Sequence, residues 1–479
     1  QFKLSKTAHA VSALLLTLAS SHTALAAPSG GNVVQGSATI SQTSPSRTDI
    51  NQNTDKAIIN WQQFNINSGE QVNFNQPSQS SVTLNRVTGG SASDIQGALT
   101  ANGNVFLINP NGIVFGKGAI IDVAGLVAST ADIDDDNFMA GKFEFTGSGT
   151  GSIVNEGNIS VQQGGLVALV APTVRNSGVI QAQLGRVALV SGNTFTVDLY
   201  GDGLINLAVD GKVAKGLVEN SGTVNADGGK VLISAQAAKN IVDNVINMNG
   251  VVQARSIAGN NGNIVLSGGV VNVAGTLDAS GSASHSGGDI DVLGQSINVA
   301  GTVNASGDTG GGEIHIGGDF QGKGDRQRAS DTVIAEGAVI QADANTVGDG
   351  GRVIVWSDNK THINGQISAT GGSESGDGGF VETSSAGELD FTTSVDVKAN
   401  NGKAGTWLID PENITIDRDY ADLIEESLND GSSVIVQTSD VGNEEGNLNV
   451  NASITKDEGG DASLSLLAHN DLSVNAPIT

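Results

Sequence analysis

Four acidic residues stand close together in the segment ADIDDDNFMAGKFEFTG, residues 131–147: Asp132, Asp134, Asp135 and Asp136. Carboxylate oxygens are the ligands that Ca²⁺ prefers in proteins. Strand-like alternation would place Asp134 and Asp136 on one side, but no glycine-bearing ligand loop accompanies them. The Gly-Gly-Asp runs farther along the chain resemble pieces of a calcium-binding nonapeptide repeat, and no copy completes it. The sequence therefore favours a solvated hairpin tip at this position and predicts no metal site.

Histidine supplies the other candidate chemistry, which is general acid–base catalysis. Four histidines lie beyond residue 26, namely His285, His315, His362 and His469. No HExxH zinc motif and no nucleophile elbow is present. Polysaccharide lyases and hydrolases with repetitive β folds need clustered Asp, Lys or Arg on one face, and no such constellation stands out. We therefore expect no catalytic residues and no cofactor. A polysaccharide lyase or hydrolase is kept as the second alternative for the function of the chain.

A tight turn, Asn109-Pro110-Asn111-Gly112, interrupts the apolar run VFLI and IVF between residues 105 and 115. Proline pre-sets φ at the first central position of a turn, and asparagine can bond its own backbone. Glycine then closes the turn without steric cost. The pattern predicts a strand, a turn and a second strand, and most such turns serve only as connectors.

Composition excludes several classes of protein. The 66 glycines follow no G-X-Y period and only 7 prolines are present, which excludes collagen. Residues 1–26 carry Lys3 and Lys6, a short apolar stretch and the cleavage-like Ala24-Leu25-Ala26, so they predict a signal peptide. After that segment, 21 basic and 50 acidic side chains leave a net charge of −29, which argues against nucleic acid as a partner. No segment approaches the ~20 apolar residues of a membrane span.

Internal repeats give the strongest indication of the fold. The segments 154–161, 218–226 and 299–305 each have a glycine turn followed by alternating apolar and polar residues. Turn glycines recur at spacings of 21 to 44 residues, and the longest spacing, from Gly178 to Gly222, would span two coils. A repeat of this length with short strands and no helix is typical of a β-solenoid. The sequence therefore predicts an all-β fold, a right-handed parallel β-helix of some fifteen coils.

Alternation within the repeats predicts which side chains point into the solenoid. The clearest inward positions are Val299, Val303, Ile314 and Ile316, which leaves the polar residues between them outside. Trp61 and Phe64 are expected in the early core or in an N-terminal cap, because the end of a solenoid must be covered. Residues 131–147 break the repeat and are expected to form an extra-helical hairpin.

The pattern changes again near residue 405. Tyr420, Leu423, Ile424 and Leu428 fall on one face of a helix, and Gly431 is a natural stop. Strand-like sequence resumes at Ser433. We expect a boundary between two modules near residue 405.

A collinear resemblance extends from Gly31 to Thr130. The segments are GNVVQGSATI, AIINWQQFNINSGEQVNFNQP, SVTLNRVTGG, ANGNVFLINPNGIVFGKGA and DVAGLVAST. Together they resemble the N-terminal secretion domain of the two-partner secretion exoproteins, the family of filamentous haemagglutinins, high-molecular-weight adhesins, haem–haemopexin-binding proteins and related haemolysins. The resemblance implies that Asn109, Pro110, Asn111 and Gly112 form the secretion motif. The family's second motif, NPNL, has no literal match, which places the chain in the branch that lacks it.

The resemblance also implies a route and a role. A chain of this family passes the periplasm and crosses the outer membrane of a Gram-negative cell through a transporter barrel whose periplasmic domains recognise it. The expected product is secreted or displayed at the cell surface, and is an adhesin or haemagglutinin that binds the host cell surface. The first alternative is a haem–haemopexin-binding or haemolysin/toxin-carrier exoprotein.

The expected domain organisation combines the repeat pattern with the resemblance. Residues 1–26 form the signal peptide, and residues 27–270 form the secretion domain. Residues 271–404 extend the β-helix, and residues 405–479 begin a further β-rich module with a short helix.

Overall fold

The computed structural model describes residues 28–147, 149–192, 194–199, 205–207, 216–235, 244–257, 259–439 and 445–479. The predicted signal peptide, residues 1–26, lies outside these ranges. Within them, the chain visits three long sheets in turn, and strands of successive coils pair in parallel. No helix in the described part of the chain is long and apolar enough to cross a membrane.

The first sheet has sixteen strands, of which the last fifteen are parallel. Their bounds in stacking order are Asn32–Gln35, Lys56–Trp61, Val82–Val87, Asn104–Ile108, Gly125–Ser129, Leu166–Ala171, Arg186–Ser191, Lys230–Ala235, Asn263–Gly268, Asp289–Leu293, Glu313–Ile316, Arg352–Val355, Phe380–Ser384, Thr406–Asp410, Ser433–Gln437 and Leu464–Leu467.

The second sheet has eleven parallel strands. They are Ser93–Ile95, Ile113–Phe115, Ser152–Asn155, Thr173–Asn176, Gly216–Asn220, Asn244–Met248, Val270–Val273, Ser296–Val299, Asp331–Ile334, Lys360–Ile363 and Glu388–Phe391.

The third sheet has fourteen strands, with one antiparallel pair at its start. They are Ala38–Ser44, Arg47–Gln52, Gln71–Asn75, Ala98–Ala101, Ile120–Val123, Asn158–Val161, Val179–Gln181, Thr223–Asn225, Val251–Gln253, Thr276–Asp278, Thr302–Asn304, Val339–Gln341, Gln366–Ser368 and Val395–Asp396.

This arrangement is the predicted right-handed parallel β-helix. The four side chains expected to point inward, Val299, Val303, Ile314 and Ile316, are fully buried. Val303 lies in register between Leu277 of the preceding coil and Ile340 of the following one. Stacking like residues in this way gives each inward side chain an apolar neighbour above and below, which is why a repeat can build a continuous core.

One polar residue in these strands is more deeply buried than alternation predicts. His315 points away from the solenoid interior as expected, yet only 5% of its surface is exposed. A loop at residues 317–329, which contains a 3₁₀ turn at Phe320–Gly322, follows the strand Glu313–Ile316. The imidazole Nδ1 lies 3.4 Å from Asp291 Oδ1 on the preceding coil. Alternation alone does not predict burial where a loop covers the outer face.

The N-terminal end of the solenoid is capped as expected. Asn32–Gln35 pairs antiparallel with Lys56–Trp61, and Ala38–Ser44 pairs antiparallel with Arg47–Gln52. Trp61 and Phe64 are buried beneath this cap and meet edge to face, with ring centroids 5.5 Å apart. The reversal of direction ends the parallel stack.

The long glycine spacing from Gly178 to Gly222 spans one coil, so the expectation of two coils is wrong. Thr173–Asn176 pairs directly with Gly216–Asn220. The additional residues leave the solenoid and form the strands Thr194–Val197 and Ile205–Leu207. A spacing measured along the sequence cannot distinguish an additional coil from an insertion between two strands.

Residues 131–147 do form an extra-helical hairpin, with Asp132–Ile133 antiparallel to Glu144–Thr146. Its tip differs from the prediction because a helix, α1, occupies Asp135–Ala140. Asp134 is the N-cap of α1, so Asp134 and Asp136 do not alternate along a strand. Glu144–Thr146 also pairs with Thr194–Val197, and the two excursions together make a four-stranded sheet.

The C-terminal part contains the predicted helix, α2, at Arg418–Asn429. Gly431 follows it with φ 89°, a left-handed conformation that favours glycine. The first sheet continues past residue 405 without a break, whereas a separate three-stranded sheet begins there with Ile414–Ile416, Leu448–Val450 and Leu472–Val474. The boundaries near 270 and 404 stay predictions.

Candidate functional site: the turn at residues 109–112

The turn at Asn109–Gly112 joins a strand of the first sheet, Asn104–Ile108, to a strand of the second, Ile113–Phe115. The Gly112 N–H donates to the carbonyl oxygen of Asn109 at 3.0 Å, which closes the turn. The Asn111 N–H donates to Asn109 Oδ1, also at 3.0 Å. Asparagine at the first position therefore organises the turn through its side chain, as Asx-turns do.

Gly112 is required at its position for two reasons. Its φ is 111°, in the region that favours glycine. A Cβ there would also lie 2.8 Å from the carbonyl oxygen of Ser152, in the next coil. Any side chain at this position would force two stacked coils apart.

The asparagine side chains fasten the turn to the preceding coil. Asn109 is fully buried, and its Nδ2 donates to Ser91 O and Ser93 Oγ, both at 3.0 Å. Asn111 Nδ2 donates to the carbonyl oxygen of Gly89 at 2.9 Å. These bonds hold the turn in one orientation against the residues 89–93.

Two of the four motif residues are exposed and two are buried. Pro110 and Asn111 are exposed, whereas Asn109 and Gly112 are buried. The carbonyl oxygen of Pro110 accepts from the Gly151 N–H at 3.1 Å, so the following coil also supports the turn. The surface that another molecule can contact is the proline ring together with the outer edge of Asn111.

The acidic segment 131–147 lies beside the turn and is held by Arg86. The guanidinium contacts Asp132 Oδ1 at 2.8 Å and Asp135 Oδ1 at 2.7 Å. Burial disfavours the charged guanidinium, but the two carboxylates outweigh it and raise the pKa of Arg86. In the described part of the chain, no group of three or more His, Asp or Glu is placed to hold a metal ion.

The histidines lie apart on different coils. His285 bonds backbone atoms of its own turn and of Gly259. His362 Nδ1 lies 2.8 Å from Asp390 Oδ2, and His315 faces Asp291 as described above. His469 is exposed near the last coils. The structure does not bring them together into one site.

An apolar layer outside the solenoid supports the region around the turn, and alternation did not reveal it. The outer face of the first sheet packs against the two excursions, where Phe106 meets Phe138, Phe143 and Phe145 at centroid distances of 5.2 to 5.9 Å. The signal was available in the sequence. The strand LVALVA and the central VALV of RVALVS are continuously apolar, which is typical of strands buried on both faces.

Comparison with known proteins identifies similar chains. A family model described as TPS secretion domain matches residues 24–284. Two curated relatives from Haemophilus influenzae, both named heme/hemopexin-binding protein, are 34% and 35% identical over 264 residues. These alignments cover 50% and 53% of this chain but only 28% and 29% of the relatives, so the chain spans less than a third of their length.

A solved structure is similar as well. The crystal structure of the HMW1 secretion domain from Haemophilus influenzae superposes with a TM-score of 0.70 at 34% sequence identity. The match covers 80% of this chain and all of that one.

Proposed function

Because this chain belongs to the family of exoproteins with a TPS secretion domain, we propose that the exposed tip of its Asn109–Gly112 turn is what the transporter's periplasmic domains recognise. Exoproteins of this family are exported across the outer membrane by a partner transporter and are secreted or surface-exposed. The export route of this chain follows from its membership of the family. What we propose is which of its residues the partner transporter contacts.

This proposal is supported by the exposure of Pro110 and Asn111 and the burial of Asn109 and Gly112. Pro110 and Asn111 present a rigid tip, since Asn109 ties it to the preceding coil and Pro110 O accepts a bond from the following one. A preorganised surface binds with a smaller entropy cost than a flexible one. Asn109 and Gly112 act only by positioning this tip, whereas Asn111 presents its outer edge and also bonds Gly89 O.

Secretion and stability of paired variants test the assignment. Pro110→Ala and Asn111→Ala should reduce the secreted fraction about tenfold while shifting the melting temperature little, because neither side chain is buried. Asn109→Ala should lower both, since it leaves the buried Ser93 hydroxyl and Ser91 carbonyl without their donor, at about 1–3 kcal/mol. The measurements are supernatant yield by immunoblot and thermal unfolding of purified protein.

Lys117→Ala is the matched control, because Lys117 is exposed at another corner of the same coil. It should leave secretion and melting temperature unchanged. Secretion that falls only in proportion to stability across all four variants would contradict recognition of the tip and leave the turn a structural element.

For the secreted product we propose adhesion to the host cell surface as the role. Family membership supports a binding protein rather than an enzyme, since the secretion-domain family is a non-enzymatic exoprotein family. The net charge of −27 supports a soluble exported surface kept apart by self-repulsion. We extend this to the whole chain and propose that it acts by binding without turnover.

The alternative is binding of haem or haemopexin, which the names of the two curated relatives favour. Binding of the purified protein to cultured epithelial cells and to immobilised haemopexin separates the two roles. Retention on cells alone supports adhesion, and retention on haemopexin alone supports the alternative.

A further inference from the structure

A small pocket lies near the C-terminal end of the solenoid, beyond the residues that match the secretion domain. Its cavity of about 130 Å³ is lined by side chains from five separate coils or loops. The described residues that line it are Gln321, Lys323, Trp356, Asp410, Gln437, Thr438, Ser439 and His469. Residues far apart in sequence meet here because each follows or ends a strand of the first sheet, at the corner where the chain turns toward the second.

The loop at residues 317–329 forms one wall of the pocket. Its Gln321 side chain donates from Nε2 to Asp410 Oδ2 at 3.1 Å, and its Gln321 N–H donates to Glu382 Oε1 at 2.9 Å. Gly322, at φ 62°, packs directly on the Trp356 ring, where a Cβ would lie 2.4 Å from the indole. The base of the loop is tied by Arg326 to Asp291 and Asp319. These contacts therefore hold the loop in place as a wall of the pocket.

One oxygen at the floor of this pocket lacks a partner. Asp410 is only 2% exposed, and its Oδ1 has no hydrogen-bond partner among the residues that the structure describes. Burial raises the pKa of this carboxyl to about 6, against the bond from Gln321 and the charge of Lys323. A buried acceptor without a donor destabilises the folded chain. A bound molecule that donates a hydrogen bond would remove this destabilisation.

We propose that this pocket binds one neutral ring carrying several hydroxyl groups, a single sugar or cyclitol unit. Lys323 opposes the charge of Asp410, so the walls favour neither a cation nor an anion. Carboxylate, amide and imidazole groups accept and donate hydrogen bonds, and a hydroxyl group can do both at once. A cavity of about 150 Å³ accommodates benzene, so this one, at about 130 Å³, takes one edge of a hydroxylated ring and leaves the rest of that ring in solvent at the rim.

The rim makes the site accessible from solvent. Lys323 and His469 are exposed, whereas Asp410 and Trp356 lie at the floor. Lys323 Nζ donates to Gln321 Oε1 at 2.9 Å, which places the ammonium at the edge of the pocket instead of on Asp410. The site is separate from the Asn109–Gly112 turn, so this inference does not depend on the export proposal.

Saturation-transfer-difference NMR on the purified full chain tests the site, with D-glucose, D-galactose and myo-inositol as separate probes. At least one should show transfer at millimolar concentration. Asp410→Leu, which removes the floor acceptor at similar volume, should weaken that transfer by about tenfold or more. Gln437→Ala should weaken it as well, and decides the question if the first variant does not fold. Asp325→Leu, exposed in the same loop, is the matched control and should bind like the parent.

Calcium binding is followed by isothermal titration calorimetry, because the ion has no protons to observe, and the zwitterion glycine is a further probe in the NMR experiment. Binding of a sugar or cyclitol that both pocket variants weaken and the control retains would support the assignment. No transfer from any of the three rings, transfer unchanged in Asp410→Leu, or binding of calcium or glycine in their place would overturn it.

Discussion

Asparagine side chains do much of the positioning at the scale of single residues. In the second sheet, Asn155, Asn176 and Asn220 stack on successive coils, and each bonds the next at 2.8 and 2.7 Å. Asn109 ties its turn to a neighbouring coil in the same manner. The sequence predicts the local turn at 109–112, because proline and glycine constrain it directly. It does not predict the partners Ser91 and Ser93, since these depend on which coils are stacked and in which register.

Glu382 gives a residue-scale prediction about pH. Glu382 is fully buried, and burial raises the pKa of its carboxyl from 4.5 to about 7. The hydrogen bonds from Ser384 and Gln321 oppose this rise. The charge of Asp410 adds to it, and the charge of Arg352 opposes it. The folded chain therefore keeps this proton up to about pH 7, whereas the unfolded chain loses it near pH 4.5. Stability should fall as pH rises through that interval.

Glu382→Gln keeps an acceptor for Gln321 and removes the titration. Parent and variant should unfold alike at pH 4, and the variant should be more stable above pH 7 by up to about 3 kcal/mol. Thermal unfolding from pH 4 to 8 measures the difference. Parallel profiles for the two proteins would show that Glu382 does not titrate in this range.

At the scale of elements, strands were easier to predict from the sequence than excursions. Period-two alternation identifies inward positions such as Val303 because a strand has only two faces. The same alternation fails for His315 and for the segment 131–147, where a second layer covers the outer face. Helix α1 has only six residues and depends on burial of Phe138 and on the Asp134 cap, so its own sequence carries a weak helical signal.

The outer apolar layer is open to a direct test. Phe145 is fully buried and stacks on Phe195 with centroids 4.4 Å apart, so Phe145→Ala should cost about 3–5 kcal/mol within the excursions. Hydrogen exchange should accelerate at residues 132–146 and 194–197, while the coil interior at Leu166–Ala171 keeps its protection. Glu144→Ala, exposed on the same strand, should change neither. Unchanged exchange in Phe145→Ala would mean that the excursions do not rely on this layer.

At the scale of the whole molecule, stacking makes each coil a template for the next. Every added coil buries inward side chains, which stabilises the fold by about 25 cal/mol per Å² of apolar surface removed from water. Each coil also pairs its strands with those of the coil already formed. With no cysteine in the sequence, no disulfide can lock a coil before passage. A chain of this construction suits export followed by folding coil by coil, because each step needs only its immediate neighbour.

Site-specific photo-crosslinking during export tests the central claim most directly. A photoreactive residue is placed at position 90 in one chain and at position 117 in another, in cells that also express the partner transporter. Gly90 is exposed, a Cβ there would meet nothing within 4 Å, and its neighbour Gly89 accepts the Asn111 bond, so the probe sits beside the tip and leaves Pro110 and Asn111 intact. Recognition of the turn predicts an adduct with the periplasmic domains of the transporter from position 90 and none from position 117. Equal adducts from both positions, or none from position 90 while secretion proceeds normally, would contradict it.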